Sequence, residues 1–304
     1  MSVPMIIDTD PGVDDAVALL LAAASPEVQL LAVTTVFGNV GVDLTTGNAL
    51  RLRALAGLGH LPVAAGAARP LVYPRDRRTD SWHGLDGFGG RGDLLPEPTG
   101  PVHERGAVAL MADLLRAASA PVTLVAIGPL TNIALLLAAH AEVKPRIERI
   151  VIMGGHLSGP PAEFNIRSDP EAAHRLLVEE DVPITLVPLD LTQRAAVDAA
   201  WLTELAAAGP RCATLAGAIE HCRETTGRGR VALHDALAVL EATVPATLRT
   251  MSMPLEVVCD RGPDRGAVLT GSGQCANRRV VQVALDADLP TINAAILDRL
   301  RDLR

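Results

Sequence analysis

Aromatic side chains are scarce in this chain: two Trp, one Tyr and three Phe among 304 residues. Any site that must stack a planar ligand has few rings to draw on. Lysine is nearly missing too, with Lys144 alone and arginine supplying the other 26 positive charges. The net charge is -8 and no basic block occurs, which argues against nucleic acid or an anionic membrane as partner. No apolar run approaches the roughly 18 residues that a membrane helix needs. A basic n-region is lacking at the N-terminus, and Asp8 arrives too early for a signal-peptide core, so no targeting segment is expected. Cys212, Cys222, Cys259 and Cys275 show no CxxC or other metal spacing, and free thiols in a cytoplasmic protein are the expectation.

Apolar residues make up 49% of the chain, enough for a sizeable core. Strand-like runs alternate with helix-like ones. VPMIID precedes DDAVALLLAAA, VQLLAVTTVFG precedes LTTGNALRLRALAG, and VTLVAIG precedes LTNIALLLAAH; RIVIMGG and ITLVPLD follow. Strands apolar throughout are buried on both faces, and alternation with helices implies a parallel sheet. The fold class expected is α/β: a Rossmann-like, mostly parallel central sheet with helices on both faces and a helical annex near residues 198 to 242. No linker or composition shift divides the chain, so residues 1–304 read as one domain. The stretch YPRDRRTDSWHGLDGFGGRGD, from Tyr73 to Asp93, has neither helical nor strand period and is longer than ordinary connections. It reads as a mobile lid carrying Trp82, His83 and Phe88.

Ligands of open parallel sheets sit beyond the carboxyl ends of the strands, so the residues following each strand sample the site. Behind the first strand stand Asp8, Asp10, Asp14 and Asp15; behind the second, Asn39; behind VTLVAI, the segment GPLTN; behind RIVIM, a GG pair and then EFN with Glu163 and Asn165. These are carboxylates, amides and carbonyls without cysteine or a His pair, which suits Ca²⁺ or Mg²⁺ rather than zinc. Asp14 and Asp15 would also favour the positive end of a helix, but four aspartates exceed what capping needs. GPLTN alone reads as a turn with Thr131 as N-cap, and Asp235 of the pair His234–Asp235 could equally be a cap or a ligand. An EF-hand loop is excluded, because its twelfth position, counted from Asp8, is Leu19 instead of Glu. A haloacid-dehalogenase-type phosphatase would use Asp8-x-Asp10 but needs a later lysine with an acidic pair, and Lys144 lies in AEVKPRIE without one. A module that grips a sugar without reacting is the remaining alternative.

DTDPGVDDA, GPLTN, EFNIRSDPEAA and the HD pair, in this order and spacing, resemble the nucleoside hydrolase family (inosine–uridine-preferring nucleoside N-ribohydrolases) from Met5 to about Leu240. The resemblance implies a tightly held Ca²⁺, hydrolysis of the N-glycosidic bond of ribonucleosides to ribose and a free base, and a homodimer or homotetramer. It assigns the metal to Asp10, Asp15, Asp235 and the carbonyl of Ile127, where many members have Thr. Ribose would be held by Asp14, Asn39, Glu163 and Asn165, with Met153 lining the sugar pocket and His83 and His234 near sugar and base. Asp8 resembles a supporting partner. Two departures stand out. GGHLSGPPAEFN lacks the asparagine that commonly meets the 5′-hydroxyl, and no aromatic follows Trp201 where members often place tyrosines for the base.

Such residues suggest a mechanism. Breaking a ribosyl C–N bond passes through an oxocarbenium-like transition state. A divalent cation would lower the pKa of the attacking water while Asp10 accepts its proton and His234 protonates the departing base. Asp14 and Asn165 would hold the 2′- and 3′-hydroxyls, so deoxyribonucleosides should fare poorly. With Trp82, Phe88 and Tyr73 as the plausible stacking partners, uridine or cytidine should be cleaved at least as well as inosine, unless His221 or Arg228 reads the base.

Overall fold

In the computed structural model, residues 2–74, 83–227, 229–270 and 279–303 are described. Twelve strands occur among them: β1 (Val3–Thr9), β2 (Val28–Thr35), β3 (Val63–Ala65), β4 (Val122–Ala126), β5 (Ile147–Met153), β6 (Ile184–Val187), β7 (Ala196–Val197), β8 (Val231–Ala232), β9 (Arg249–Met253), β10 (Leu255–Val257), β11 (Val268–Thr270) and β12 (Val281–Asp286). The helices are α1 (Val13–Ala24), α2 (Val42–Leu55), α3 (Ala107–Ala117), α4 (Thr131–Ala139), α5 (Phe164–Ser168), α6 (Pro170–His174), α7 (Leu189–Thr192), α8 (Ala199–Ala207), α9 (Pro210–Thr225), α10 (His234–Thr243) and α11 (Leu289–Arg301).

Eight strands form the main sheet in the order β3-β2-β1-β4-β5-β6-β12-β9. Every pairing in it is parallel except β12 with the edge strand β9. Two antiparallel pairs, β10–β11 and β7–β8, lie outside it. Because side chains alternate across a strand, Met5 and Ile7 enter one apolar cluster while Ile6 enters the other. The same division holds for Val125 and Val151 against Leu124, Ile150 and Ile152. The strands carry apolar residues without alternation for this reason: both faces are covered, by α1, α2 and α8–α11 on one side and α3, α4 and α6 on the other.

Helix α1 illustrates how sequence sets an element. Its Ala- and Leu-rich run forms helix readily and is buried for most of its length, and the chain leaves it at Ser25, just before Pro26. The annex expected over residues 198 to 242 exists as α8 and α9, which pack on each other; α10 instead lies in the main layer against α1 and β5. The C-terminal strand β12 joins the main sheet beside β6, a placement that no motif announced.

Candidate active site

From β1 the chain crosses to β2 on one flank, and β4 later takes the opposite flank, with Asp8 in register with Thr34 on one side and Ala126 on the other. Such a reversal opens a crevice at the carboxyl ends of the strands. The turn after β1 runs into it, as do Ile127 after β4 and Met153 at the end of β5, and helices α1 and α10 begin there.

Asp14, Asp15 and Asp235 meet at this point, each buried, with one oxygen from each lying within 4.8 Å of the others. Asp15 performs two tasks. Its Oδ2 accepts the Gly12 N–H at 2.9 Å, closing the first turn of α1, and its Oδ1 accepts the Thr9 hydroxyl at 2.5 Å. Asp235 is the second residue of α10 and does not cap it, which decides between the two roles open for it in the sequence. The amino-terminal ends of both helices bias the crevice toward negative charge. That bias is insufficient alone. Burial and then the Asp14 charge hold Asp15 up to about 6, and burial followed by Asp14, Asp15, Asp10 and Glu163 pushes Asp235 well above the usual carboxylate range. Burial likewise raises Asp14, against the partial relief of His234. Asp14 Oδ1 accepts no hydrogen bond among the described residues. Three buried carboxylates this close together, one oxygen of Asp14 without a hydrogen bond among the described residues, form an oxygen-only donor set that fits a hard divalent cation.

Asp10 stands beside this group. Its Oδ2 accepts the Asn39 N–H at 2.7 Å, and Asn39 Nδ2 reaches both the Asp10 carbonyl (3.1 Å) and Asp15 Oδ2 (3.2 Å). Asn39, expected at the ribose, thus also links Asp10 to Asp15. Asp14, also expected there, is the third member of the close cluster, and Asp10 adjoins it. Gly38 and Gly128 permit this crowding: a methyl at Gly38 would strike the Asp10 carboxylate, and one at Gly128 would sit 2.6 Å from its Oδ1.

The EFN segment forms the opposite wall. Glu163 is the N-cap of α5, accepting the N–H groups of Asn165 (2.8 Å) and Ile166 (3.1 Å), and also that of Gly155 (3.0 Å). Asn165 Nδ2 donates to the carbonyls of Ile127 (3.1 Å) and Met153 (3.2 Å), with Met153 Sδ 3.7 Å away. His83 Nδ1 accepts the Val13 N–H at 3.1 Å, leaving Nε2 toward Asp14 Oδ1 at 3.7 Å. The His234 Nδ1 lies 2.7 Å from the hydroxyl of Thr192 on α7. Thr192 carried no signal in LDLT. Beneath the cluster, Asp8 Oδ1 accepts Thr34 Oγ1 (2.6 Å) and Asn132 Nδ2 (2.8 Å), and burial lifts its carboxyl to about 7.

Other expectations are revised. Thr131 is the first residue of α4 rather than its N-cap, and its hydroxyl donates to Asp169 at 2.6 Å. Of the rings expected to stack a base, Phe88 is fully buried and Tyr73 lies beneath the guanidinium groups of Arg261 (4.0 Å) and Arg265 (4.9 Å). Trp201 packs by its helix, donating to the Asn293 carbonyl. Trp82 and Arg228 lie outside the described residues. Residues 83–93 of the expected lid are tethered: the Asp86 carboxylate accepts the N–H groups of Phe88, Gly90 and Gly92. His221 faces the Gly89 carbonyl at 3.2 Å.

Residues 5–294 match the family model described as inosine-uridine preferring nucleoside hydrolase. The chain belongs to the inosine–uridine preferring nucleoside hydrolase family. The match carries the resemblance beyond Leu240 into β12 and α11. Pyrimidine-specific ribonucleoside hydrolase RihA of Photobacterium profundum is 50% identical over 201 residues, 65% of this chain and 64% of that one. The RihA of an Enterobacter strain is 42% identical over 262 residues, covering 83% and 82%. A solved purine-preferring ribonucleoside hydrolase from Gardnerella vaginalis superposes with a TM-score of 0.89 at 29% identity, covering 99% and 98%. The aligned part thus spans under two thirds of the Photobacterium protein.

Proposed function

We propose that this member of the nucleoside hydrolase family hydrolyses the N-glycosidic bond of ribonucleosides with the help of bound Ca²⁺, releasing ribose and a free base. The observation that carries the reading is the buried cluster of Asp14, Asp15 and Asp235 facing the Glu163–Asn165 wall across one crevice. Asp10, Asp15, Asp235 and the Ile127 carbonyl would hold the cation, with Asp14 adjoining. When bound, it supplies a positive field that makes water more acidic. Asp10, positioned by the Asn39 N–H, takes the proton of the attacking water. Asp14 and Asn165 orient the ribose hydroxyls, and burial of Asp14 makes an unmatched partner costly, which disfavours deoxyribonucleosides. His234, steadied by Thr192, delivers a proton to the leaving base. One carboxylate acting as base, with no covalent intermediate, implies inversion at C1′.

The phosphatase alternative loses its key residue. Lys144 precedes β5, at the end of the sheet away from the crevice, and its ammonium pairs with Glu180 at 2.5 Å. A binder without chemistry has no need of three buried carboxylates at elevated pKa. For the base, Phe88 and Tyr73 are engaged elsewhere, and stacking is worth about 1–3 kcal/mol. A purine loses more of this than a pyrimidine. We therefore expect uridine or cytidine to be cleaved at least as well as inosine, in line with the name of the RihA relatives. The purified protein should carry about one Ca²⁺ per chain, and Asp10→Ala should abolish turnover of uridine and inosine alike. Stoichiometric zinc with full activity, or an active Asp10→Ala, would refute this reading. A reducing cytoplasmic setting and a homodimer or homotetramer complete the proposal; Cys212, Cys222 and Cys259 carry free thiols.

A further inference from the structure

The GPLTN segment connects β4 to α4, and its two polar side chains leave in different directions. Asn132 Nδ2 reaches Asp8 Oδ1 and the Thr35 carbonyl (2.9 Å), while its Oδ1 accepts the Ala67 N–H at 2.8 Å. Thr131 turns the other way, toward Asp169, which has no exposed surface at all. Asp169 Oδ2 accepts both the Thr131 hydroxyl (2.6 Å) and the Leu71 N–H (3.0 Å), and Oδ1 accepts the Ala172 N–H at 3.2 Å. Asp169 therefore joins three segments: the start of α4, the loop at Leu71, and the start of α6.

The position of Asp169 in its own segment gives this junction its consequence. It follows directly on α5, a helix of five residues whose other end is Glu163. Near that other end, Asn165 Nδ2 donates to the Ile127 carbonyl. The short helix is thus tied to the β4–α4 connection at two places, through Asn165 to Ile127 and through Asp169 to Thr131. Between them lie only Gly128, Pro129 and Leu130. A five-residue helix cannot hold its own orientation in water, because nucleation is costly and its few internal bonds do not repay it. The two ties set it against this connection, while the Gly155 N–H on Glu163 and the buried Ile166 hold it from other sides.

We propose that Thr131 and Asp169 are positioning residues for the reaction inferred above: their hydrogen bond fixes the α5 helix against the β4–α4 connection, and so aims the Ile127 carbonyl and the Asn165 amide at the crevice. This rests on the hydrolase reading of that crevice. Neither residue touches the acidic cluster. The effect is carried by orientation, in the way partners behind ligating groups commonly act. Thr131 is needed for its hydroxyl and not for capping, and Asp169 for two carboxylate oxygens that serve three donors. An amide in its place has one acceptor oxygen and leaves at least one of those donors facing an NH₂ group.

The test uses the full-length protein as wild type, Thr131→Val, Thr131→Ser and Asp169→Asn. Each is stripped with chelator and titrated with Ca²⁺ by calorimetry, then reloaded for kcat and KM on uridine, with a thermal melt to fix the folded fraction. Thr131→Val should weaken Ca²⁺ binding and lower kcat per folded molecule by about 10- to 100-fold. Thr131→Ser keeps the hydroxyl and should restore both, and Asp169→Asn should shift both in the same direction as Thr131→Val. A role confined to stability would lower the melting temperature and leave Ca²⁺ affinity and kcat unchanged; that result, or a Thr131→Ser variant as impaired as Thr131→Val, overturns the proposal. Should Thr131→Val fail to fold, Asp169→Asn against Thr131→Ser carries the same comparison. If the wild type cleaves no ribonucleoside, the parent reading falls, and the Ca²⁺ titrations still judge this one.

Discussion

Asp14, Asp15 and Asp235 are held within 4.8 Å of one another, where water cannot screen their repulsion. Such an arrangement is tolerable because each helix start offers its positive end and because a cation is expected to complete it. His234 opens α10 at the same place, with its Nδ1 2.7 Å from the Thr192 hydroxyl. If it protonates the leaving base, His234→Ala should lower kcat on uridine by roughly 10² to 10⁴. Nitrophenyl riboside, whose leaving group needs no proton, should be nearly unaffected. Equal losses on both substrates, measured side by side, would make His234 a sugar-binding or structural residue. Much of this site is legible in the sequence. Four aspartates behind one strand, an EFN segment behind another and an HD pair at a helix start all converge. What was not legible is which donor serves which acceptor. The notation DTDPGVDDA cannot say that Asn39 would donate to Asp10 and Asp15, nor that Thr131 would seek Asp169. Those outcomes depend on distances between segments tens of residues apart.

At the scale of elements, the connection after β4 is the most constrained part of the crevice. Gly128 faces Asp10, and a methyl there would also lie 2.9 Å from Val36 Cγ1. Neither neighbour can withdraw, since Val36 is buried and Asp10 is held by Asn39. Gly128→Ala should therefore displace the Asp10 carboxylate and lower kcat/KM on uridine by about 10²-fold, the scale of loss that a misplacement of about 1 Å brings. Its melting temperature should move far less than its activity. A variant with normal kinetics would show that this close approach is not needed. The five runs read as strands (VPMIID, VQLLAVTTVFG, VTLVAIG, RIVIMGG and ITLVPLD) each contribute a strand to the main sheet. The strands that escaped notice are short or polar on one side. β3 has three residues, and β9 is exposed along most of its length because it forms the sheet edge. An edge strand needs no continuous apolar run, so its sequence gives no signal.

For the whole molecule, one apolar cluster draws residues from Met5 to Leu300 and a second fills the other face of the sheet. The molecule's stability should respond to pH in opposite senses with and without metal. In chelated protein, burial holds Asp8 near 7 and Asp15 near 6, far above the roughly 3.9 of an unfolded carboxyl. The folded state then binds protons that the unfolded chain has released, so stability is lost as pH rises from about 4 through 7. The melting temperature in chelator should accordingly fall between pH 5.5 and pH 8. With excess Ca²⁺ the trend should reverse, because the ligating carboxylates must be deprotonated. Parallel curves in the two conditions would contradict a metal at these aspartates. The most direct test of the central claim is the product formed from uridine by the Ca²⁺-loaded protein, followed by proton NMR in phosphate-free buffer. Uracil and ribose should appear in equal amounts, with the α-anomer of ribose first, and Asp10→Ala should give neither. No cleavage in that buffer, a requirement for added phosphate with ribose 1-phosphate as product, or the β-anomer appearing first would contradict direct attack of water at C1′.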